Sequence, residues 1–462
     1  MLGVFGILLS LGLLMYLAYR GISVIILAPL LAMLAVVLAG EGTQMLGIYT
    51  QVFMVKMGGF AIKYFPIFLL GAIFGKLMED SGSAKSIAQT IINKLGQHHS
   101  VFAIVASCGL LTYGGVSVFV VAFAVYPLAA ALFKEADMPK RFVPASIALG
   151  AFTFSMTALP GTSQIHNIIP VSYFGTDMYA APIIGLVAGF SIMLTGIWWI
   201  KRRVNKFKSE GYGENHSQEP VIDHELNQKL PGIWVALIPV AIVVISNFVL
   251  QKMVIPTWDT DYLNTAKFGF IDPDKLVSIW SMIIALILAI LAVVIINWNR
   301  LRNVNTSMTK GAIGSMLPTF NTASEVGYGA TIASLAAFTL VKEAVVNISP
   351  NNPLISEVVA VNVLAGITGS ASGGLTIALE ALGSTYAEMA AQFGINPEWM
   401  HRLASMASGG FDSLPHNGAV ITLLTICGLS HKQSYKDIAM VSLGIPVAIT
   451  ALTVAVLSVF FV

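Results

Sequence analysis

The sequence predicts an all-α polytopic membrane protein of about ten transmembrane helices and two opposed re-entrant hairpins, arranged as inverted repeats. Composition is the first reason: 56% of the 462 residues are apolar and 10% are charged, whereas soluble proteins carry about 25% charged residues. Two polar breaks in membrane-length apolar runs are the second, one from Thr157 to Asn167 and one from Gly409 to Gly418. Both contain Leu-Pro, where proline removes a backbone donor and clashes with the preceding turn. The third is a repeat: Gly115 and Gly374 differ by 259, Pro139 and Pro397 by 258, and Pro160 and Pro415 by 255. A net charge of +2 without a basic patch gives no reason to expect a nucleic-acid partner.

Residues 1–40 hold one charge, Arg20, and read as two helices joined by a tight turn. No basic stretch precedes them, so no cleaved signal peptide is expected. The positive-inside rule puts Arg20 in the cytoplasm and both chain termini outside. Residues 41–57 read as an outer connection, and a third helix from Gly59 to Met78 carries Gly71 and Gly75 at the spacing of close helix contact. An amphipathic stretch with Lys85 and Lys94 follows. The apolar region Val101–Phe133 is interrupted at Thr112–Ser117, and its first arm, of about 12 residues, is too short to span. A helix from Phe142 then climbs to the first break, and residues 182–200 return to Lys201-Arg202-Arg203. Cys108 and Cys427 sit in apolar stretches without metal-ligand spacing.

Three parts result: a first repeat at 1–200, a cytoplasmic linker at 201–231 and a second repeat at 232–462. In the second, residues 232–251 and 276–297 flank an acidic outer loop with Asp259, Asp261, Asp272 and Asp274. A helix from Gly311 passes Glu325, which Ser324, Gly327 and Tyr328 mark as a hydrated helix end. Gly327–Asn347 is the matching amphipathic connector, and Leu354–Gln392 the matching hairpin, with its tip near Ser372-Gly373. The second break, a cytoplasmic turn with Lys432 and Lys436, and a last helix complete the chain. On this topology most of the 25 Lys and Arg lie inside, with Lys56, Lys63, Lys252, Lys267, Lys275, Lys342 and Arg402 outside.

Inverted repeats with broken helices describe a secondary transporter whose site lies where half-helices end near the midplane. Helices beginning at Gly114-Gly115 or Gly373-Gly374 would turn free N–H groups toward an anion. Ser117, Thr162, Ser163, Asn167, Ser370, Ser372, Ser413 and Asn417 add polar ligands. Asp412 and His416 are four apart and would meet on one helix face, a pair able to exchange a proton. Glu380, free or paired with Lys342, and His166 are the other candidates for the coupling proton. No cofactor or metal is expected, and hairpin carbonyls could hold sodium in place of a proton. A channel would need a continuous polar ring. An enzyme would have only Ser413 beside His416, with no orienting third group.

The run Gly71-Ala72-Ile73-Phe74-Gly75-Lys76-Leu77-Met78-Glu79-Asp80-Ser81-Gly82 and the tip Gly369-Ser370-Ala371 resemble the gluconate permease family (GntP) of the ion transporter superfamily. The resemblance covers essentially the whole chain. It implies import of small hydroxy- or amino-acid anions, such as gluconate, other sugar acids, D-serine or 3-hydroxybutyrate, with protons and by an elevator movement. Tyr113-Gly114-Gly115-Val116 stands in place of an acidic Tyr-Glu type of hairpin. Leu414-Pro415-His416-Asn417-Gly418 likewise replaces a His-Val-Asn-Asp type. Both depart from the gluconate type, and the Leu-Pro-His-Asn-Gly and Leu-Pro-Gly-Thr patterns resemble the hydroxybutyrate-permease-like branch. The expectation is a cation symporter for a small organic acid anion in a bacterial inner membrane, a homodimer, with a sodium-coupled carboxylate or D-amino-acid symporter as the alternative.

Overall fold

The computed structural model describes residues 2–20, 22–96, 99–213, 230–415 and 417–460, and among them the regular structure is entirely helical. Helices α1 (Leu2–Tyr19) and α2 (Val24–Leu38) pair as expected. The anticipated outer connection at 41–57 is instead helical. A 3-10 turn, α3 (Met45–Ile48), a π-turn (Tyr49–Phe53) and α4 (Met54–Asp80) make one segment, Gly42–Asp80. No proline interrupts residues 42–65, and the Thr50 hydroxyl is absorbed by the Leu46 carbonyl at 2.8 Å, so nothing forces a loop.

Helix α5 (Ser83–Leu95) is the amphipathic connector, burying Ile87, Ala88 and Ile92 while Lys85 stays exposed. The first interrupted region resolves into α6 (Ser100–Tyr113) and α7 (Val118–Glu135), folded back on each other. Helix α8 (Val143–Ala151) stops earlier than expected. Thr153, at φ −119° and ψ −112°, leaves the helix and a π-turn (Phe154–Ala158) follows. After the break come α9 (Val171–Phe174) and α10 (Pro182–Lys206). The expected linker at 201–231 lies in large part outside the described residues.

The second half repeats this order. Helices α11 (Ile233–Val249) and α12 (Asp274–Ile296) pair as α1 and α2 do. Next comes α13 (Val304–Ser334), bent by 96° from α14 (Phe338–Val346). Gly327 is therefore inside α13 and not at the start of a connector, and Glu325 is a buried mid-helix residue. The second hairpin is α15 (Pro353–Thr368) and α16 (Ala371–Phe393), and α17 (Pro397–Ser408) leads to the second break. Then follow α18 (Gly418–Ile426), α19 (His431–Ala439), a π-turn and α20 (Ile445–Phe460). Lys432 and Lys436 lie in α19, so the expected turn is helix, begun by the capping box of Ser430 and Gln433.

Among the described residues five helical segments have the length and apolar character to cross a membrane, or six with α13 and α14 taken as one bent span. The centre of the molecule is the crossing of α4 and α13, flanked by α2 on α13 and α12 on α4. Gly311 makes that crossing close, because a Cβ there would lie 2.7 Å from the Ile73 Cα. The hairpin helices α7 and α16 pack on this pair, and α8 and α17, which lead into the breaks, pack on the hairpins.

Candidate functional site

The first break is held open by side chains that take over freed backbone carbonyls, as a break at membrane depth demands. Thr153 donates to the Leu149 carbonyl at 2.6 Å, Ser155 to Gly150 at 2.6 Å and Thr162 to Ser155 at 2.8 Å. The break is stitched to the tip between α6 and α7. Tyr113 donates its hydroxyl to the Pro160 carbonyl at 2.9 Å, and Gln164 its amide to the Thr112 carbonyl at 2.8 Å. Gly115 turns the tip at φ +90°, a conformation that favours glycine, with Ser163 Oγ against it.

Between this tip and the central helices lies a cavity of about 260 Å³, lined by Gly71 and Ala72 of α4, Ser315 and Pro318 of α13, and Gly115, Ser117, Ser163, Gln164 and His166. Helix α7 begins at its wall. Ser117 is in the N-cap position, yet its side chain caps nothing, so the first-turn N–H groups keep their positive end without an internal acceptor. His166 is 8% exposed and its Nδ1 has no hydrogen-bond partner. Buried polar atoms are almost always paired, so an unpaired donor or acceptor beside a cavity marks a place for a ligand. The volume lies below the roughly 300–1,000 Å³ of drug-sized sites, which suits a small ion.

The second tip has the same build with other contents. Ser370 accepts from Gly373 N at 3.1 Å and caps α16, and Asn417 donates to the Gly369 carbonyl at 2.8 Å while accepting from Val420 N at 2.9 Å. Ser372 Oγ lies 3.4 Å from both Ser370 Oγ and Thr322 Oγ1. The tip is at Gly369-Ser370, one turn earlier than expected. Gly373 and Gly374 are packing glycines within the first turn of α16: a Cβ on Gly374 would run into the backbone of α15, and one on Gly373 into the carboxyl of Glu325.

Of the residues singled out by sequence, the structure gathers Gly115, Ser117, Ser163 and His166 around the cavity, and Ser370, Ser372, Gly373 and Asn417 around the second tip. Gly114 lies behind the first tip, where a Cβ would strike Val240 of α11. Thr162 faces the backbone, and Asn167 is buried, donating to the Met178 carbonyl at 2.7 Å. Asp412 is buried and accepts from Ser413 Oγ at 3.1 Å. The helix that would bring Asp412 to His416 does not persist: a 3-10 turn gives way to extended Leu414, at φ −62° and ψ 160°. His416 itself lies outside the described residues. Glu380 is paired, with Lys56 at 2.5 Å and the Tyr173 hydroxyl at 2.9 Å instead of with Lys342.

Two residues were missed. Arg402, expected outside, is fully enclosed: it donates to Asn167 Oδ1 at 2.8 Å and to the carbonyls of Ala180 at 2.8 Å and Met178 at 3.3 Å. It ties α17 of the second half to the limb that follows the first break. Its signal was present in the sequence, since an Arg that leads straight into the apolar run from Leu403 is a candidate intramembrane charge. Glu325 is the other, and the spacing of Ser315, Pro318, Thr322 and Glu325 on one face of α13 was its signal.

Broken helices, paired hairpins and a cavity against a helix N-terminus, its apolar walls carrying a few polar side chains, define a membrane transporter. The chain is 44% identical over 451 residues to YxjC, an uncharacterized transporter of Bacillus subtilis, covering 95% of each. It is 26% identical over 204 residues to a high-affinity gluconate transporter of Escherichia coli, covering 43% of this chain and 44% of that one. In fold it is similar to the YdaH transporter of Alcanivorax borkumensis, with a TM-score of 0.55 at 16% identity over 91% of this chain and 89% of that one. The pattern of the GntP family permeases matches residues 2–460, and the chain belongs to that family.

Proposed function

We propose that this permease is a secondary active transporter that imports a small organic acid anion, a sugar acid or a hydroxycarboxylate like 3-hydroxybutyrate, across a bacterial inner membrane. Import is driven by a proton. One proton carried with one monocarboxylate moves no net charge, so the membrane potential does not oppose uptake. The observation that carries the reading is the cavity at the uncapped start of α7. A carboxylate there meets free N–H groups and the positive end of the helix, while Ser117, Ser163, Gln164 and His166 offer hydrogen bonds to it and to a substrate hydroxyl. Among the described residues the lining holds no charged side chain, which favours a neutral set of donors that can also let the anion go.

Residues 1–200 and 232–462 act as inverted repeats with both termini outside. The hairpins and breaks move as a unit past α4 and α13, carrying the cavity from one face to the other. Uptake by proteoliposomes of labelled gluconate, 3-hydroxybutyrate, other sugar acids and D-serine, under imposed proton or sodium gradients, tests the reading. Accumulation of a hydroxy acid that follows the pH gradient supports it. Accumulation that follows sodium and ignores pH transfers the coupling to hairpin carbonyls and hydroxyls, and uptake of none of these compounds overturns it.

A further inference from the structure

The geometry points to Glu325 as the group that couples the proton to the anion, by holding or releasing a negative charge at the first turn of α16. The inference rests on the permease reading above. Ser315 and Pro318 line the cavity, and Thr322 and Glu325 continue the same face of α13 to the second tip. There Thr322 Oγ1 meets Ser372 Oγ at 3.4 Å, and the Glu325 carboxyl fills the space that a side chain on Gly373 would occupy. Glu325 is 2% exposed and its Oε2 has no hydrogen-bond partner. A carboxyl pressed on the start of a 23-residue helix, with an oxygen unpaired, has a use beyond packing.

The other titratable groups around it are engaged or distant in sequence. Helix α2 has none, and Tyr49 lies on the π-turn before α4. On α4, Lys56 pairs with Glu380 of α16, and Lys76 with Glu79 and Asp80; Lys63 and Tyr64 lie between them. Tyr328 of α13 shares a 2.6 Å hydrogen bond with Ser10 of α1, Tyr386 and Glu388 lie farther along α16, and Lys342 and Glu343 are on α14. Among the described residues no ion pair reaches Glu325. Among the described residues that line the cavity, His166 is the one titratable side chain.

Glu325 stands about 10 Å along α13 from Pro318. At the effective dielectric of a protein site, a carboxylate at that range weakens binding of a second anion about tenfold. Proton and anion therefore favour each other: with the carboxyl neutral the anion enters the cavity, and with the anion bound the carboxyl holds its proton. The proton is taken up on one face and given back on the other as the anion leaves.

The test uses the full-length protein in proteoliposomes, with labelled gluconate and 3-hydroxybutyrate as probes and equal pH on both sides. For the native protein, half-saturation in exchange should rise about tenfold from pH 5.5 to pH 8.5. Glu325→Gln should flatten that dependence and lower pH-driven accumulation at least tenfold relative to exchange, and His166→Gln should keep it. Glu325→Asp should keep it with a displaced midpoint, a control if the Gln variant folds poorly. An unaltered pH dependence in Glu325→Gln, or its loss in His166→Gln or Asp412→Asn with Glu325→Gln native-like, overturns the assignment to Glu325. A native protein that takes up neither probe, nor any compound of the wider panel, tells against the permease reading instead.

Discussion

At the first hairpin α7 begins without a side-chain cap and opens on a cavity, whereas at the second α16 begins under the Ser370 hydroxyl and against the Glu325 carboxyl. Each break is stitched to its own tip: in one half Tyr113 of the tip donates to the Pro160 carbonyl of the break and Gln164 of the break to the Thr112 carbonyl, and in the other Asn417 donates to the Gly369 carbonyl. The backbone plan is thus kept while the polar contents diverge. One helix N-terminus opens on a cavity, and its counterpart is occupied by the chain's own acid. Under the proposed function the first half alone binds the anion, and the second is free to take another task.

The largest effect should come from the residue that makes the first half depend on the second. Arg402→Leu leaves the Ala180 carbonyl without its buried donor, at about 1–3 kcal/mol, and removes one of the donors to the Met178 carbonyl and to the Asn167 side-chain oxygen. Thermal unfolding in detergent should fall steeply and purified yield with it; a native-like melt would show that the limb after the first break stands without α17.

Next in size is a contrast between two tip glycines. Gly374→Ala drives a Cβ into the backbone of α15, with nothing flexible to yield, and should abolish uptake and lower stability together. Gly115→Ala places a side chain at positive φ, a cost of about 1–2 kcal/mol, and meets only the movable Ser163 hydroxyl, 2.9 Å away. It should reduce uptake while the melt shifts by a smaller amount. Equal melts for the two would erase the distinction between a packing glycine and a turning one.

The smallest effects divide the tips most sharply. Ser163→Ala, which removes a cavity hydroxyl, should raise the half-saturation of uptake about fivefold, near 1 kcal/mol, and leave the melt almost unmoved. Ser370→Ala, which removes a helix cap, should cost about 1 kcal/mol of stability and alter half-saturation less than twofold. The reverse pattern would exchange the roles of the two tips.

Much of this was legible in the chain. Proline, glycine and hydroxyl clusters located both breaks and both tips to within a turn, because a chain in an apolar medium must replace every backbone bond it breaks. The boundaries that failed were those where nothing in the local sequence stops a helix, at residues 41–57 and around Gly327. Which polar side chains face a ligand and which face the backbone was not legible. Thr162 and Ser163 are neighbours of similar character, yet one closes the break and the other lines the cavity. Arg402 and Glu325 were misplaced for one reason: hydropathy patterning assigns charges to helix ends, and only tertiary contacts reveal a guanidinium satisfied by carbonyls or a carboxyl against a glycine.

The central claim, that the anion binds in the cavity at the start of α7, is tested most directly by protection of a thiol placed there. Both native cysteines, Cys108 and Cys427, are fully buried and give little background. A Ser163→Cys variant that still takes up labelled 3-hydroxybutyrate or gluconate is exposed to a small charged thiol reagent, with and without a saturating concentration of the same acid. At least a fivefold slowing of modification by the transported acid, and none by an acid the protein does not carry, is the predicted result; a rate that the transported acid leaves unchanged would contradict it.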